Sequence, residues 1–143
     1  MVYVLIALGL AVVIAPLISA MPSKAQRRVA AVRDRAKDLG LRVTLRPVPA
    51  VPARFRFAPE RDLACYQQNQ SRSKSGLGEH RAYVFAEGHW QPTQGASTAP
   101  EWLTSLPSGA PLVEVSDRYI SIFWDERGGL EDLETIRQAI DSR

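Results

Sequence analysis

The stretch LVEVSDRYISIFWDERGGLEDLETIRQAIDS, residues 112–142, decides the fold class. Residues 112–115, a Ser116-Asp117 turn and residues 118–124 read as a β-hairpin. In its second arm Tyr119, Ser121 and Phe123 alternate with Ile120, Ile122 and Trp124, so the two sets face opposite sides of a sheet. Gly128-Gly129 then breaks the chain. From 130 to 142 the period changes to that of a helix, with Leu130, Leu133, Ile136 and Ile140 on one face. Glu131, Asp132 and Glu134 crowd its start, where carboxylates suit the positive end of the helix dipole. An antiparallel hairpin followed by an amphipathic helix points to an α+β domain.

Upstream, residues 101–106 read as a helical turn stopped by Pro107. Residues 63–67 and 81–86 are strand candidates, with 88–90 extending the second. Segments 71–79 (SRSKSGLGE) and 91–100 read as loops. Arg54-Phe55-Arg56-Phe57 alternates like an edge strand with its phenylalanines inward. The prolines of 46–59 exclude helix and central strand and favour an extended linker or edge. In 41–45, Val43 and Leu45 fall on one strand face and Arg42, Thr44 and Arg46 on the other. Residues 21–39 form a helix started at Pro22-Ser23 and stopped by Gly40, with Ala25, Val29, Val32, Ala36 and Leu39 as its packing stripe. The expectation is a helix, a small antiparallel sheet and a C-terminal amphipathic helix in one α+β domain.

Residues 1–23 carry no charged side chain. Positions 2–20 would span roughly 30 Å as a helix, the thickness of a hydrocarbon core. Gly9 and Pro16 are tolerated in membrane helices, and Gly9 with Pro16 makes no GxxxG dimer motif. A cleaved signal peptide, with Ile18-Ser19-Ala20 as its processing site, lacks the basic residue before the apolar core and would meet strong positive charge after it. A buried core helix would be unusually apolar on every face. The reading is therefore a retained transmembrane helix at 1–21, a basic juxtamembrane helix at 22–40 and an α+β domain at 41–143.

Lys24, Arg27, Arg28, Arg33, Arg35 and Lys37 follow the span, and such charge stays cytoplasmic. The expected topology is N-terminus outside and C-terminal domain in the cytoplasm, in a bacterial inner membrane. Residues 22–58 hold 10 basic and 2 acidic side chains, and residues 59–143 hold 8 and 13. The high isoelectric point thus belongs to the membrane-proximal part. The basic cluster fixes topology and is also placed to meet anionic lipid head groups. Nucleic acid is not expected as a partner.

A short N-out span followed by Pro22, then Gln26-Arg27-Arg28 and a basic helix, resembles the small bacterial YajC-type accessory subunit of the preprotein translocase. The resemblance covers about the first 35 residues and rests on features that topology itself favours. It implies an accessory role at the inner membrane and transfers no functional residue. The region beyond Gly40 departs from that family's short Gly- and Thr-rich β region, and the segment around SIFWDERGGLEDLETI resembles domains of uncharacterised bacterial proteins.

Candidate chemistry is sparse. The single cysteine, Cys65, lies in an apolar stretch and reads as a buried small hydrophobe. With two scattered histidines it makes no zinc site. His80 and His89 are nine positions apart, which on one strand places them on opposite faces. Nothing local would activate a Cys-His nucleophile. The acids at 125–126 and 131–132 read as strand-end and helix-start residues without metal-loop spacing. Trp90, Trp102 and Trp124 are core or partner-surface residues, and Trp102 is the candidate exposed anchor, with Arg54 and Arg56 as further partner-surface candidates. No catalytic residue, metal or cofactor is expected. The function expected is an accessory or scaffolding role through protein contacts, with protein translocation as one setting; the alternative is a tethered module binding anionic lipid head groups or a small ligand.

Overall fold

The computed structural model describes residues 1–59, 62–71, 80–95 and 97–143. Its helices are α1 (Val2–Ser19), α2 (Lys24–Asp38) and α3 (Gly129–Asp141). Its strands are β1 (Arg42–Thr44), β2 (Ala64–Asn69), β3 (Arg81–Ala86), β4 (His89–Pro92), β5 (Leu112–Val115) and β6 (Tyr119–Trp124). The strands form one sheet in the order β1-β2-β6-β5-β3-β4, antiparallel at every junction. The fold is α+β, as the 112–142 stretch predicts.

The β5–β6 hairpin sits at the centre. Alternation along it sorts the whole sheet into two faces. Tyr66, Ile122, Val113 and Tyr83 lie in one cross-strand row. With Ile120 and Trp124 they form the core beneath α2 and α3, which contribute Val32, Ala36, Leu133, Ile136 and Ile140. A 3₁₀ turn at Glu101–Ser105 plugs the same core with the fully buried Leu103. The opposite row is Thr44, Cys65, Phe123, Leu112 and Val84. Here the cover has no long helix. Val48, Val51, Phe55 and Phe57 of the proline-rich segment pack on Leu63, Cys65, Phe123, Leu112 and Val84, so the segment is a strap across the sheet.

Four expectations are corrected. Arg54-Phe55-Arg56-Phe57 is not an edge strand: a 3₁₀ turn at Ala53–Phe55 ends at Arg56 with φ +47°. The phenylalanines do face inward, but onto the sheet's face and not within its plane. Residues 88–90 do not prolong β3. Glu87 and Gly88 have φ +53° and +81°, the double left-handed pair of a tight hairpin turn, and β4 folds back along β3. Leu45 is 72% exposed because β1 stops at Thr44. Leu130 is 49% exposed: at about 100° per residue it lies roughly 120° around the helix from Ile136.

α1 is apolar throughout, with mean hydropathy 2.6, and none of it is buried against the rest of the chain. Among the described residues it is the one helix long and apolar enough to cross a membrane. The expected 71–79 loop lies, from Arg72 onward, outside the described residues.

Candidate functional site

The site with the most built-in structure is α2 and what holds it. Ser23 starts the helix with a reciprocal capping box: its Oγ accepts from the Gln26 amide at 3.2 Å, and its own amide donates to Gln26 Oε1 at 2.9 Å. Two orphan amides are thereby satisfied. At the other end Gly40, at φ +79°, donates to Lys37 O at 3.0 Å, and Leu41 donates to Ala36 O at 2.8 Å. This is a Schellman stop, and the buried Leu41 is its apolar contact. Both ends of α2 are therefore specified locally. Its inner face is fixed by Val32 and Ala36, which are fully buried against the core.

The six basic residues of this helix divide. Arg33 turns inward: its Nε and one terminal nitrogen donate to the two oxygens of Glu126, both at 2.8 Å. Tyr66 donates its hydroxyl to Glu126 Oε1 at 2.6 Å. Glu126, 8% exposed, thus accepts from three donors. It holds a left-handed backbone, φ +62°, a conformation costly for a residue with a Cβ. The Glu126 carboxylate raises the Arg33 guanidinium above its usual range, with burial acting against it. Burial and then the Glu126 contact push the Tyr66 phenol up. The two shifts favour the charged guanidinium and the neutral phenol, and the three side chains together clamp α2 onto the sheet. Sequence reasoning assigned Arg33 to the lipid and Glu126 to a strand end. Glu126 does lie just beyond the end of β6; the pairing itself was not foreseen, because the partners are 93 positions apart, beyond the reach of any local spacing.

Arg35 meets Glu134 of α3 at 3.4 Å, and Lys37 lies 3.9 Å from Asp34. Lys24, Arg27 and Arg28 are exposed.

A second charged group lies on the strap face. Arg46 pairs with Glu114, whose side chain is 5% exposed, and His80 Nε2 stands 3.6 Å from the same carboxylate. Arg46 also donates from Nε to Cys65 Sγ at 3.3 Å and lies 5.1 Å above the Phe123 ring. Cys65 is fully buried, as expected. The Arg46 guanidinium thus ties the start of the strap to the sheet. The histidines are corrected too. Glu87-Gly88 reverses the chain, so His89 faces Ala86 across the hairpin and shares its side with His80; about 20 Å of β3 separates them.

The partner-surface candidates are scattered. Arg54 donates to Thr93 O at 3.1 Å and covers Phe55 at 4.6 Å. Arg56 is exposed at the end of the same turn. Trp102, expected exposed, is partly buried against the core. Among the described residues outside α1, the exposed large aromatic is Phe85, 45% exposed and edge-on to Trp90 at 5.6 Å. Beside it a cleft of about 360 Å³ is lined by Phe85, His89, Trp90, Thr104 and Leu106. Another of about 440 Å³, between the β6 end and α3, is lined by Asp125, Arg127 and Asp132. Among the described residues no group of three or more His, Cys, Asp or Glu gathers as metal ligands.

No family model, curated protein or solved structure matches the chain.

Proposed function

We propose that this protein is a single-span membrane protein that holds an α+β interaction domain against the cytoplasmic face of a bacterial inner membrane, in an accessory or scaffolding role. The observation that carries the reading is the position of α2. It begins at Lys24, five positions after α1 ends at Ser19, and it is clamped into the domain core by Val32, Ala36 and the Arg33–Glu126 pair. A domain attached through such a short link has little freedom to leave the membrane surface. The basic run after the span supports the N-out orientation. The exposed Phe85, with Trp90 and the adjoining cleft, is the apolar surface on which a protein contact would fall.

The test has two parts. Labelling of single cysteines placed before Val2 and after Arg143 in intact cells should find the first accessible from outside and the second protected; the reverse pattern rejects the orientation. Crosslinked purification from native membranes through a tag after Arg143 should recover one stoichiometric complex, the translocase being the first to look for. Substituting Phe85 and Trp90 by serine should lose it. Recovery unchanged by those substitutions would reject this face as the contact, and no complex at all would reject the scaffold.

A further inference from the structure

We infer that Lys24, Arg27 and Arg28 form a docking surface for anionic phospholipid head groups, and that the other basic residues of α2 do not. The inference rests on the membrane-anchored reading above and names the partner of one of its surfaces. Arg33 is held by two 2.8 Å bonds to Glu126, and Arg35 and Lys37, though exposed, each lie near a carboxylate, Glu134 at 3.4 Å and Asp34 at 3.9 Å. Lys24, Arg27 and Arg28 have no carboxylate partner among the described residues and are exposed. They fall within the first five positions of α2, immediately beyond the link from the span.

Position within the helix sharpens the division. Buried Val32 and Ala36 fix which side of α2 faces the domain. At about 100° per residue, Arg27 projects nearly opposite that side, with Lys24 and Arg28 on one flank. The same outward side further along carries Asp34 and Asp38, which offset the exposed Arg35 and Lys37, so the uncompensated positive charge of α2 lies at its N-terminal end. A lipid phosphate is the anion guaranteed at that height. Cations near such a surface strengthen attachment by about fivefold each, and salt screens the effect.

The full chain reconstituted in nanodiscs with a minor share of phosphatidylglycerol in phosphatidylcholine tests this, because both disc faces are alike and topology plays no part. Native mass spectrometry of the released protein reads the lipids retained. Wild type should retain phosphatidylglycerol several-fold above its share of the disc, and high salt should abolish the excess. Lys24→Gln/Arg27→Gln/Arg28→Gln should retain only the bulk share, while Arg35→Gln/Lys37→Gln should keep most of the enrichment. Circular dichroism checks that each variant is folded. Bulk-share retention by wild type, undiminished enrichment in the triple variant, or equal loss in the control pair would each overturn the inference while leaving the anchor intact. Failure of the chain to enter the discs would overturn both.

Discussion

The two faces of the sheet are made from the same strands and are covered in opposite ways. On one, α2, α3 and a 3₁₀ turn bury Tyr66, Trp124, Ile120 and Ile122 under regular structure. On the other, a proline-rich strap lays four partly buried side chains over Cys65, Phe123, Leu112 and Val84. The helical face holds the buried Glu126 with three hydrogen bonds, two from Arg33 and one from Tyr66. The strap face leaves Glu114 to an arginine whose side chain is 37% exposed and a histidine whose side chain is 52% exposed. Stability therefore resides mainly on the helical side. Helices bring their own satisfied backbone to a core, whereas a strap of prolines brings few hydrogen bonds and depends on its side chains.

Substitutions on each face put this asymmetry at risk, in the full chain in detergent micelles, with urea unfolding followed by far-ultraviolet circular dichroism. The largest effect belongs to the helical face: Trp124→Ala, at a fully buried site edge-on to Tyr66, should cost about 4 kcal/mol. A cost under about 1 kcal/mol would mean that the helical layer is not the principal core. Arg33→Ala should follow at about 2 kcal/mol, below the usual figure for a broken enclosed pair because Arg33 is a third exposed. Glu126→Gln in the same background should recover part of that loss; if the effects simply add, the pair is not a clamp.

Tyr66→Phe should cost about 1 kcal/mol at neutral pH through the lost bond to a charged acceptor. It also carries a pH signature. The folded-state pKa of Tyr66 is raised, so its contribution is complete below the unfolded value of about 10 and declines as pH rises beyond it. Wild type should therefore lose stability above about pH 10 more steeply than the phenylalanine variant; parallel curves would refute the assignment. The smallest effect is expected on the strap. Val51→Ala should cost roughly 0.5–1 kcal/mol, since the side chain is only partly buried. Its clearer readout is faster proteolytic nicking within 46–59 with α2 and α3 unaffected. A cost as large as that of Trp124→Ala would erase the distinction between the faces.

The same contrast governs what could be read from the chain. Val29, Val32 and Ala36 recur at helical spacing, and residues 119–124 alternate strictly, so the helices and the central hairpin were legible from local periodicity. Arg54-Phe55-Arg56-Phe57 alternates as well, but its pattern serves a 3₁₀ turn lying on the sheet, because the neighbouring prolines deny it a ladder. The β3–β4 hairpin was hidden by Glu87, which takes a left-handed conformation usually signalled by asparagine or glycine. Of the candidate site, the basic run itself was plain. Its division into clamped and exposed members was not, since Glu126 and Glu134 enter from the far end of the chain.

The cap at Ser23 has a mechanical consequence. Were α1 and α2 one continuous helix, each residue added to α1 would turn the domain by about 100° and shift it by about 1.5 Å. Because Ser23 and Gln26 restart the helix after a break at 20–22, rotational phase is lost between them. A change in the length or twist of α1 is therefore not carried into the domain along one continuous helix, as it would be without the break.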